Sequence, residues 1–249
     1  MDEKPLLHKC LGLLYSLFCY VYSMLVLVYF VGFIGPPQVP KDIDSGPATA
    51  WYFAALIDVA LISLFALQHS GMARKSFKSF WLQWVAAPIE RATYVLFSSL
   101  ALSLMFLLWQ PIPLTLWDIE TPAARGLING LYWLGWIIAL LATFLLSHFE
   151  LFGLKQALDV FRPHRGESRT FKTPWLYKLV RHPLYLGFVM TFWATPHMTV
   201  GHLLFAGVGT LYILIGTLLE EKDLVQLFGE QYRQYQRKVG MLLPFLGRR

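Results

Sequence analysis

The stretch RHPLYLGFVMTFWATPHMTVGHLLFAGVGTLYILIGTLLEE, from Arg181 to Glu221, contains two apolar runs joined by the turn-forming residues TPHMTVG. The first run, Leu184–Ala194, would be a helix about 16 Å long, which is too short for a hydrocarbon core of about 30 Å. The second run, Thr199–Leu219, is long enough to cross. The stretch therefore predicts a helical hairpin, residues 184–219, that enters and leaves a membrane on one side.

Four more apolar runs are long enough to span a membrane, and the composition agrees with them. The chain is 56% hydrophobic and 14% charged, whereas soluble domains carry about 25% charged residues. The sequence therefore predicts a single all-α integral membrane domain over residues 1–249, with about five transmembrane helices. The four runs are Cys10–Ile34, Trp51–His69, Thr93–Gln110 and Asn129–Ser147.

Charge alternates between the loops as five spanning helices require. Residues 35–50 and 110–129 each carry a net charge of −1, residues 71–92 carry +3, and residues 149–183 hold seven basic against three acidic residues, a net of +4. Cytoplasmic loops are enriched in Lys and Arg, so both basic loops and both termini are expected in the cytoplasm. This topology accounts for the overall charge of +6 without nucleic-acid binding.

The start of the short apolar run has the composition of an anion site. Pro183 fits the first turn of a helix, where its missing N–H costs nothing, and the free amides and dipole of that turn favour an anion. Arg181 and His182 add donors and positive charge directly before it. Glu220 and Glu221 are expected to end the returning helix on the same side, so donors and carboxylates would lie at one membrane edge.

A C-terminal amphipathic cytoplasmic helix is predicted to follow. Its apolar and aromatic positions recur at helical spacing, a pattern that is also typical of simple packing at a membrane surface. With the preceding motif, it would offer rings, donors and carboxylates to a ligand with a carboxylate, a cationic centre and an adenosine. S-adenosylmethionine is such a ligand, although the residues alone do not name it. The stripe consists of Leu224, Leu227, Phe228, Tyr232, Tyr235 and Val239.

Ionisable residues at the inner ends of the apolar runs are further functional candidates. His69 ends the second run and His148 follows the fourth, so both are expected at the same membrane level. They could instead be ordinary helix-end residues, and without an H-x-x-E or H-x-x-H partner they predict no metal site. Arg74, Glu90 and Arg91 are expected at this level too, and an ion pair or a solvated helix start would also explain the last two.

Several stretches resemble known families. RHPLYLG, EEKDLVQLFGEQYRQY and a late LLPF resemble the isoprenylcysteine carboxyl methyltransferase-like membrane families, whose signature also occurs in phospholipid methyltransferases and, more distantly, in sterol reductases. Upstream, VPKDIDSGP, FALQHSGMARKSFK, PIERATYVL and LLSHFELFGLKQ resemble a narrower group, the bacterial methanethiol S-methyltransferases, which are relatives of the NnrU-type proteins. The likeness covers nearly the whole chain, from Leu11 to Phe245.

This resemblance implies that S-adenosylmethionine binds at the cytoplasmic face, in the part of the chain formed by residues 148–249. The four-helix part, residues 1–147, would carry the acceptor side. The implied reaction is an in-line methyl transfer to methanethiol that gives dimethyl sulfide. The implied cofactor-binding residues are Leu176, Tyr177, Arg181, His182, Tyr185, Glu220, Glu221, Tyr232 and Tyr235.

On the acceptor side, the implied chemistry needs a thiolate, because an ordinary alkyl thiol is largely protonated at neutral pH. His69 and His148 are the candidate general bases, since both reach the membrane edge where the methyl donor should bind. Arg74 or Arg91 could hold the thiolate electrostatically, and Glu90 completes the candidate catalytic set.

Two other classes of function stay open at this point. One is a methyltransferase for another thiol, a protein carboxyl group or a lipid acceptor. The other is a non-enzymatic NnrU-like membrane factor or a transporter, although transporters often show internal repeats and the sequence shows none. The expected partners are a small volatile thiol and membrane lipid, with no obligate protein partner, and the expected location is a bacterial inner membrane.

Overall fold

The protein, seen in a computed structural model, is described for residues 6–36, 38–47, 49–162, 171–244 and 246. Five helices, α1, α2, α4, α5 and α9, are long and apolar enough to cross a membrane, which confirms the predicted all-α membrane fold. The elements are α1 Leu6–Phe33, α2 Trp51–Ala73, α3 Lys75–Trp81, α4 Ala87–Leu108, β1 Thr115–Asp118, α5 Pro122–Leu146, α6 His148–Leu151, α7 Leu154–Asp159, a 3-10 turn Trp175–Lys178, α8 Pro183–Trp193, β2 His197–Thr199, α9 Val200–Phe228 and α10 Glu230–Lys238.

Helices α8 and α9 form the predicted hairpin, and α8 also packs along α5. The α5 and α8 backbones approach so closely that a Cβ added to Gly187 would lie 2.5 Å from the carbonyl oxygen of Gly135. Small residues allow such close packing of helices in membranes. In the hairpin turn, the Thr199 hydroxyl accepts the backbone N–H of His202 at 3.0 Å and so caps the start of α9. The short helix α8 is therefore held on two sides.

The helices place the loops at two ends of the bundle, which we call the basic end and the acidic end. At the basic end, α2, α5 and α9 finish and α4 and α8 begin. The acidic end holds the loop after α1, where the indole N–H of Trp109 donates to the carbonyl of Ile43 at 3.1 Å and the Thr199 hydroxyl donates to Asp44 at 2.5 Å. A cavity of about 320 Å³ lies there, partly lined by Asp44 and His202.

Aromatic rings fill the core between α1, α4 and α9. The ring of Phe30 lies with its centroid 5.6 Å from that of Phe106 and 5.8 Å from that of Phe205. Such ring pairs add to the stability gained from burial. These rings belong to a cluster of buried hydrophobic side chains that α1, α4 and α9 share.

The structure corrects one expectation about α9. We expected the returning helix to end at Glu220 and Glu221, but α9 continues without a break to Phe228. Leu, Glu, Lys and Gln, which make up much of LLEEKDLVQLF, are good helix formers, so nothing stops the helix there. The chain turns only at Gly229, which has a φ of 57° that glycine adopts readily. The predicted amphipathic stripe is therefore divided between the end of α9 and the separate helix α10.

The chain segment before α8 is fixed by the C-terminal tail. The backbone N–H of Arg181 donates to the carbonyl of Gly240 at 2.8 Å, and that of His182 donates to the carbonyl of Met241 at 3.2 Å. Val180 and Gly240 form a parallel bridge at the same place. The tail therefore positions the RHP motif at the start of α8. Phe245, the last residue of the LLPF stretch, lies outside the described residues.

Candidate functional site

A buried ion pair joins the start of α8 to α9 at the basic end. Nε of Arg181 donates to Oε1 of Glu221 at 2.6 Å, and the two residues are 3% and 1% exposed. The guanidinium also donates to the carbonyls of Gln236, at 3.1 Å, and Val239. The side-chain amide of Gln236 donates to the second oxygen of Glu221 at 2.9 Å. A buried pair with these additional hydrogen bonds compensates the desolvation of both charges, and it holds α8, α9 and α10 together.

His182 and Tyr185 lie next to this network. Nε2 of His182 is 3.3 Å from Oε1 of Glu221, and its Nδ1 is 3.7 Å from Oε2 of Glu220. The imidazole stacks on the ring of Tyr185, with centroids 5.6 Å apart, and the Tyr185 hydroxyl donates to Glu220 at 3.0 Å. The Glu220 side chain is 45% exposed. The two adjacent acidic residues thus differ, because Glu221 is enclosed while Glu220 presents a carboxylate beside two aromatic rings.

The other predicted cofactor-binding residues lie in the 3-10 turn before α8 and on α10. Leu176 and Tyr177 share the 3-10 turn before α8, and the Tyr235 hydroxyl donates to the Tyr177 carbonyl. Phe171 packs against Tyr232 and Tyr235, with ring centroids 5.8 Å and 5.3 Å away. Burial raises the pKa of both phenols, so they are neutral. The Tyr232 hydroxyl is buried and has no hydrogen-bond partner among the described residues.

These residues fit a nucleoside ligand that carries a cationic centre, as S-adenosylmethionine does. The half-exposed Glu220 carboxylate, with two rings beside it, suits a cation, and the buried Tyr232 hydroxyl offers a polar atom that lacks a partner within the described ranges. A cleft of about 290 Å³ opens where α9 meets α10. Arg181, in contrast, is committed to protein acceptors, which favours a positioning role for it. The cleft is lined by Glu221, Lys222, Val225, Gln226 and Gln236.

On the acceptor side, His69 is hydrogen-bonded to two residues of α4. Its Nδ1 lies 3.0 Å from Oγ of Ser98. The hydroxyl of Tyr94 lies 2.9 Å from Nε2 and 3.0 Å from Nδ1 of the same ring. The imidazole also stacks on Phe65, with centroids 5.2 Å apart. The guanidinium carbon of Arg91 lies 4.8 Å from the centroid of the Tyr94 ring. Two predicted residues, His69 and Arg91, are therefore brought together through Tyr94.

His148 has a similar set of partners in a different place. Its Nδ1 lies 2.8 Å from the hydroxyl of Thr143, and its Nε2 lies 3.0 Å from the hydroxyl of Tyr20 on α1. The ring stacks on Phe144, with centroids 4.3 Å apart, and Phe152 lies on another side at 4.9 Å. Burial lowers the pKa of His148 and keeps it neutral. Aromatic rings enclose this histidine between α1, α5 and α6.

The remaining candidates, Arg74 and Glu90, lie at the edge of the site. Arg74 is exposed in the turn between α2 and α3, where its backbone N–H donates to the carbonyl of Gly71 at 3.1 Å. Glu90 is paired with Lys78 at 2.9 Å, which matches the ion-pair alternative for this residue. Nε of Arg91 also donates to the carbonyl of Leu151 at 2.8 Å, so this arginine connects α4 to α6.

Tyr212 of α9 connects the acceptor side to the donor side. Its hydroxyl lies 3.1 Å from Oγ of Ser70, the neighbour of His69. Tyr185 is close enough to both Tyr94 and Tyr212 to interact with them electrostatically. Tyr212, Gly216 and Glu220 are four residues apart and share a face of α9, and a Cβ added to Gly216 would have no described neighbour within 4 Å. The structure therefore shows open space on this face, between Tyr212 and Glu220.

Sequence reasoning missed Tyr94 and Tyr212. A signal for Tyr94 was available, because it lies three residues after Arg91 and four before Ser98, on one helix face. Tyr212 lies in the apolar run LLFAGVGTLYILIG and carries no such signal. Within the described ranges, no three His, Cys, Asp or Glu residues lie close enough to hold a metal ion.

Comparisons with known proteins extend over nearly the whole chain. A family described as a protein of unknown function (DUF1295) matches residues 61–239. A methanethiol S-methyltransferase from Pseudomonas deceptionensis is 61% identical, with 96% of this chain and 92% of the relative covered. Relatives of the same name are 60% identical in Pseudomonas sp. (strain GM41(2012)), over 95% and 91%, and 50% identical in Crocosphaera subtropica, over 99% and 97%. No solved structure matches the chain.

Proposed function

The chain belongs to the methanethiol S-methyltransferase family, and on that premise we propose that it methylates the sulfur of methanethiol with S-adenosylmethionine as the donor, giving dimethyl sulfide. The observation that carries this proposal is the link through Tyr212. Tyr212 is hydrogen-bonded to Ser70, the neighbour of His69, and lies within electrostatic range of Tyr185, whose hydroxyl donates to Glu220. Methyl transfer needs donor and acceptor groups to meet in this way.

On the donor side, we assign one task to the buried ion pair and another to the residues that could contact the donor. S-adenosylmethionine supplies a methyl group bonded to a positively charged sulfur. An incoming thiol sulfur can attack the methyl carbon in line with that bond and displace the charged sulfur. Arg181 and Glu221 fix the relative positions of α8, α9 and α10. Tyr185 and Glu220 provide the ring and carboxylate that stabilise a cation at the open face. Tyr232, together with Leu176, Tyr177 and Tyr235, forms the nucleoside end of the site.

On the acceptor side, His69 acts as the general base in this proposal. The thiolate is the nucleophile, and a well-placed base contributes about 10²–10⁴-fold to the rate. Arg91, close to the Tyr94 ring, supplies positive charge near the forming thiolate. Glu90, paired with Lys78, and the exposed Arg74 are placed outside the reacting centre. His148 is assigned to packing because aromatic rings enclose it.

The proposed location is a bacterial inner membrane with the basic end, and therefore the donor site, in the cytoplasm. The loops at this end carry +3 and +4 in sequence, which is the distribution of cytoplasmic loops. A small apolar thiol dissolves in lipid and would reach the space beside Gly216 from the membrane. Fusing a reporter enzyme to either terminus would test the orientation.

Purified protein in detergent, given donor with a labelled methyl group, tests the activity. We expect labelled dimethyl sulfide from methanethiol, and binding of S-adenosylhomocysteine by calorimetry. Hydrogen sulfide, a prenylated cysteine and a lipid amine are the competing acceptors. If the protein methylates one of these faster than methanethiol, that acceptor is the substrate. A folded protein that binds no S-adenosylhomocysteine would instead favour a non-enzymatic membrane factor.

A further inference from the structure

The Tyr94 side chain packs against the imidazole of His69, with ring centroids 5.1 Å apart. Tyr94 is 6% exposed, and its oxygen is 2.9 Å from Nε2 of His69. The same oxygen is 3.0 Å from Nδ1 of His69, and the hydrogen bonds of Ser98 favour one arrangement of the protons. Oγ of Ser98 donates to the carbonyl of Tyr94 at 3.0 Å, so this oxygen is left to accept a proton from Nδ1 of His69. Nε2 of His69 is then unprotonated and accepts the Tyr94 hydroxyl.

This arrangement leaves the Tyr94 oxygen with lone pairs that His69 does not use. The phenol donates its single proton to His69, and a hydroxyl can accept a hydrogen bond at the same time. Tyr212 and Tyr185 lie within electrostatic range of Tyr94 on the side of α8 and α9. Both ring nitrogens of His69 already face hydroxyls, those of Ser98 and Tyr94, so a thiol proton that reaches His69 passes through one of them.

We infer that Tyr94 is the catalytic residue that contacts the thiol, and that it relays the thiol proton to His69. This inference rests on the proposed function and specifies how its acceptor side works. It makes Tyr94 a direct participant, while His69 is the final proton acceptor behind it.

The step balances in atoms and charge. The S–H bond of methanethiol breaks and its proton moves to Oη of Tyr94, while the original Oη proton moves to Nε2 of His69. The sulfur electron pair forms the new bond to the methyl carbon, and the pair of the broken carbon–sulfur bond stays with the donor sulfur. The products are dimethyl sulfide, S-adenosylhomocysteine and a protonated His69, which later releases its proton to water. The net charge of the site is unchanged, because the donor loses one positive charge as His69 gains one.

Charged and titratable groups from three helices face this pair. The guanidinium of Arg91 lies 4.8 Å from the centroid of the Tyr94 ring. The positive charge that the donor loses during transfer offsets the one that His69 gains. The facing groups are Arg91 and Glu90 from α4, Tyr212 from α9 and Tyr185 from α8.

The test compares the variants Tyr94→Phe and Tyr20→Phe, since Tyr20 makes the matching hydrogen bond to His148. Initial rates are measured with methanethiol and with 2,2,2-trifluoroethanethiol, a small but more acidic thiol, from about pH 7 to about pH 9. Binding of S-adenosylhomocysteine by calorimetry and the melting temperature are measured for each variant without thiol.

With methanethiol near pH 7, we expect Tyr94→Phe to lower the rate by about 10²–10³-fold. The rate of this variant should then rise by about tenfold per pH unit as the thiol ionises by itself, and the loss should shrink at least about tenfold with the acidic thiol. Its affinity for S-adenosylhomocysteine should be unchanged. Tyr20→Phe should stay within about twofold of the wild type under all conditions.

A loss of the same size for both thiols at every pH would contradict the relay, as would a wild-type rate in Tyr94→Phe. If Tyr94→Phe does not fold, Tyr94→Met gives the same test, because it also removes the hydroxyl and should show the same thiol and pH dependence. A wild-type protein that binds S-adenosylhomocysteine but methylates no thiol would contradict the proposed function itself. An active wild type with an unaffected Tyr94→Phe variant would contradict only the role of Tyr94.

Discussion

His69 and His148 lie at the same end of the bundle and have nearly identical immediate partners. In each case Nδ1 faces a Ser or Thr hydroxyl and Nε2 faces a tyrosine, and the Tyr94 hydroxyl is also 3.0 Å from Nδ1 of His69. The Thr143 hydroxyl donates to the carbonyl of Leu140 at 2.7 Å, just as Ser98 donates to a backbone carbonyl, so the same tautomer is favoured for both histidines. First neighbours therefore do not distinguish a catalytic histidine from a packing one.

The two histidines differ in the residues that surround their tyrosine partners. Beyond His69, the Tyr94 ring has Arg91 at 4.8 Å and is within electrostatic range of Tyr212 and the donor side. Beyond His148, the Tyr20 ring meets Phe149 and Phe152, with centroids 5.9 Å and 6.0 Å away. The first pair therefore lies near a guanidinium and further phenols, whereas aromatic rings surround the second.

The largest expected effect separates the two histidines directly. His69→Phe, which keeps a ring but removes both nitrogens, should lower kcat/KM for methanethiol by about 10²–10⁴-fold, because it removes the base. His148→Phe is the matched control and should lower it by less than about threefold, at a temperature well below melting. Equal losses of kcat/KM in the two variants would show that the two histidines do not differ in their role in catalysis.

The next effect concerns the network beside the His69 site. Glu221→Gln should destabilise the protein by about 3–5 kcal/mol, because it leaves the buried Arg181 charge without its anion. Glu220→Gln, the adjacent control, should leave the melting temperature nearly unchanged and weaken S-adenosylhomocysteine or donor binding instead. Thermal unfolding and calorimetry of both variants distinguish these outcomes, and a stable Glu221→Gln protein would show that the ion pair does not hold the site together.

A smaller effect should follow from filling the space that the His69 site faces. Gly216→Leu places a side chain between Tyr212 and Glu220, in the space proposed for the thiol, and should raise KM for methanethiol about ten- to a hundredfold. Gly207→Leu is the control, because Gly207 also lies in α9 and a Cβ there also meets no described atom within 4 Å. Comparable KM values for the two variants would place the thiol elsewhere.

The smallest effect is on stability at the His148 site. His148→Phe should destabilise the protein by about 1–3 kcal/mol, because the hydroxyls of Tyr20 and Thr143 lose their shared partner in a buried place. The melting temperature reports this change, and the double variant His148→Phe/Tyr20→Phe should recover part of it. A melting temperature unchanged by His148→Phe would mean that this histidine does not stabilise the packing.

Much of the architecture could be predicted from the sequence, because a helix that crosses a membrane must be apolar over the thickness of the hydrocarbon core. The lengths of the apolar runs determined five spanning helices and the short helix α8, since a spanning helix must match the thickness of the hydrocarbon core. The end of α9 was not predicted correctly. A run of charged residues favours a helix end at a membrane surface, but their intrinsic helix propensity allowed α9 to continue to Phe228, just before Gly229.

The sequence by itself also identified His69, His182, Glu220 and Glu221 as residues to examine, because ionisable side chains at the ends of apolar runs are costly unless they are used. Only the tertiary structure separated Glu221, with both oxygens hydrogen-bonded inside, from the half-exposed Glu220. Only the tertiary structure placed Tyr94 against His69 and distinguished the surroundings of the two histidines. The physical reason is that periodicity determines which face of a helix a residue occupies, whereas its neighbours depend on how helices far apart in sequence pack together.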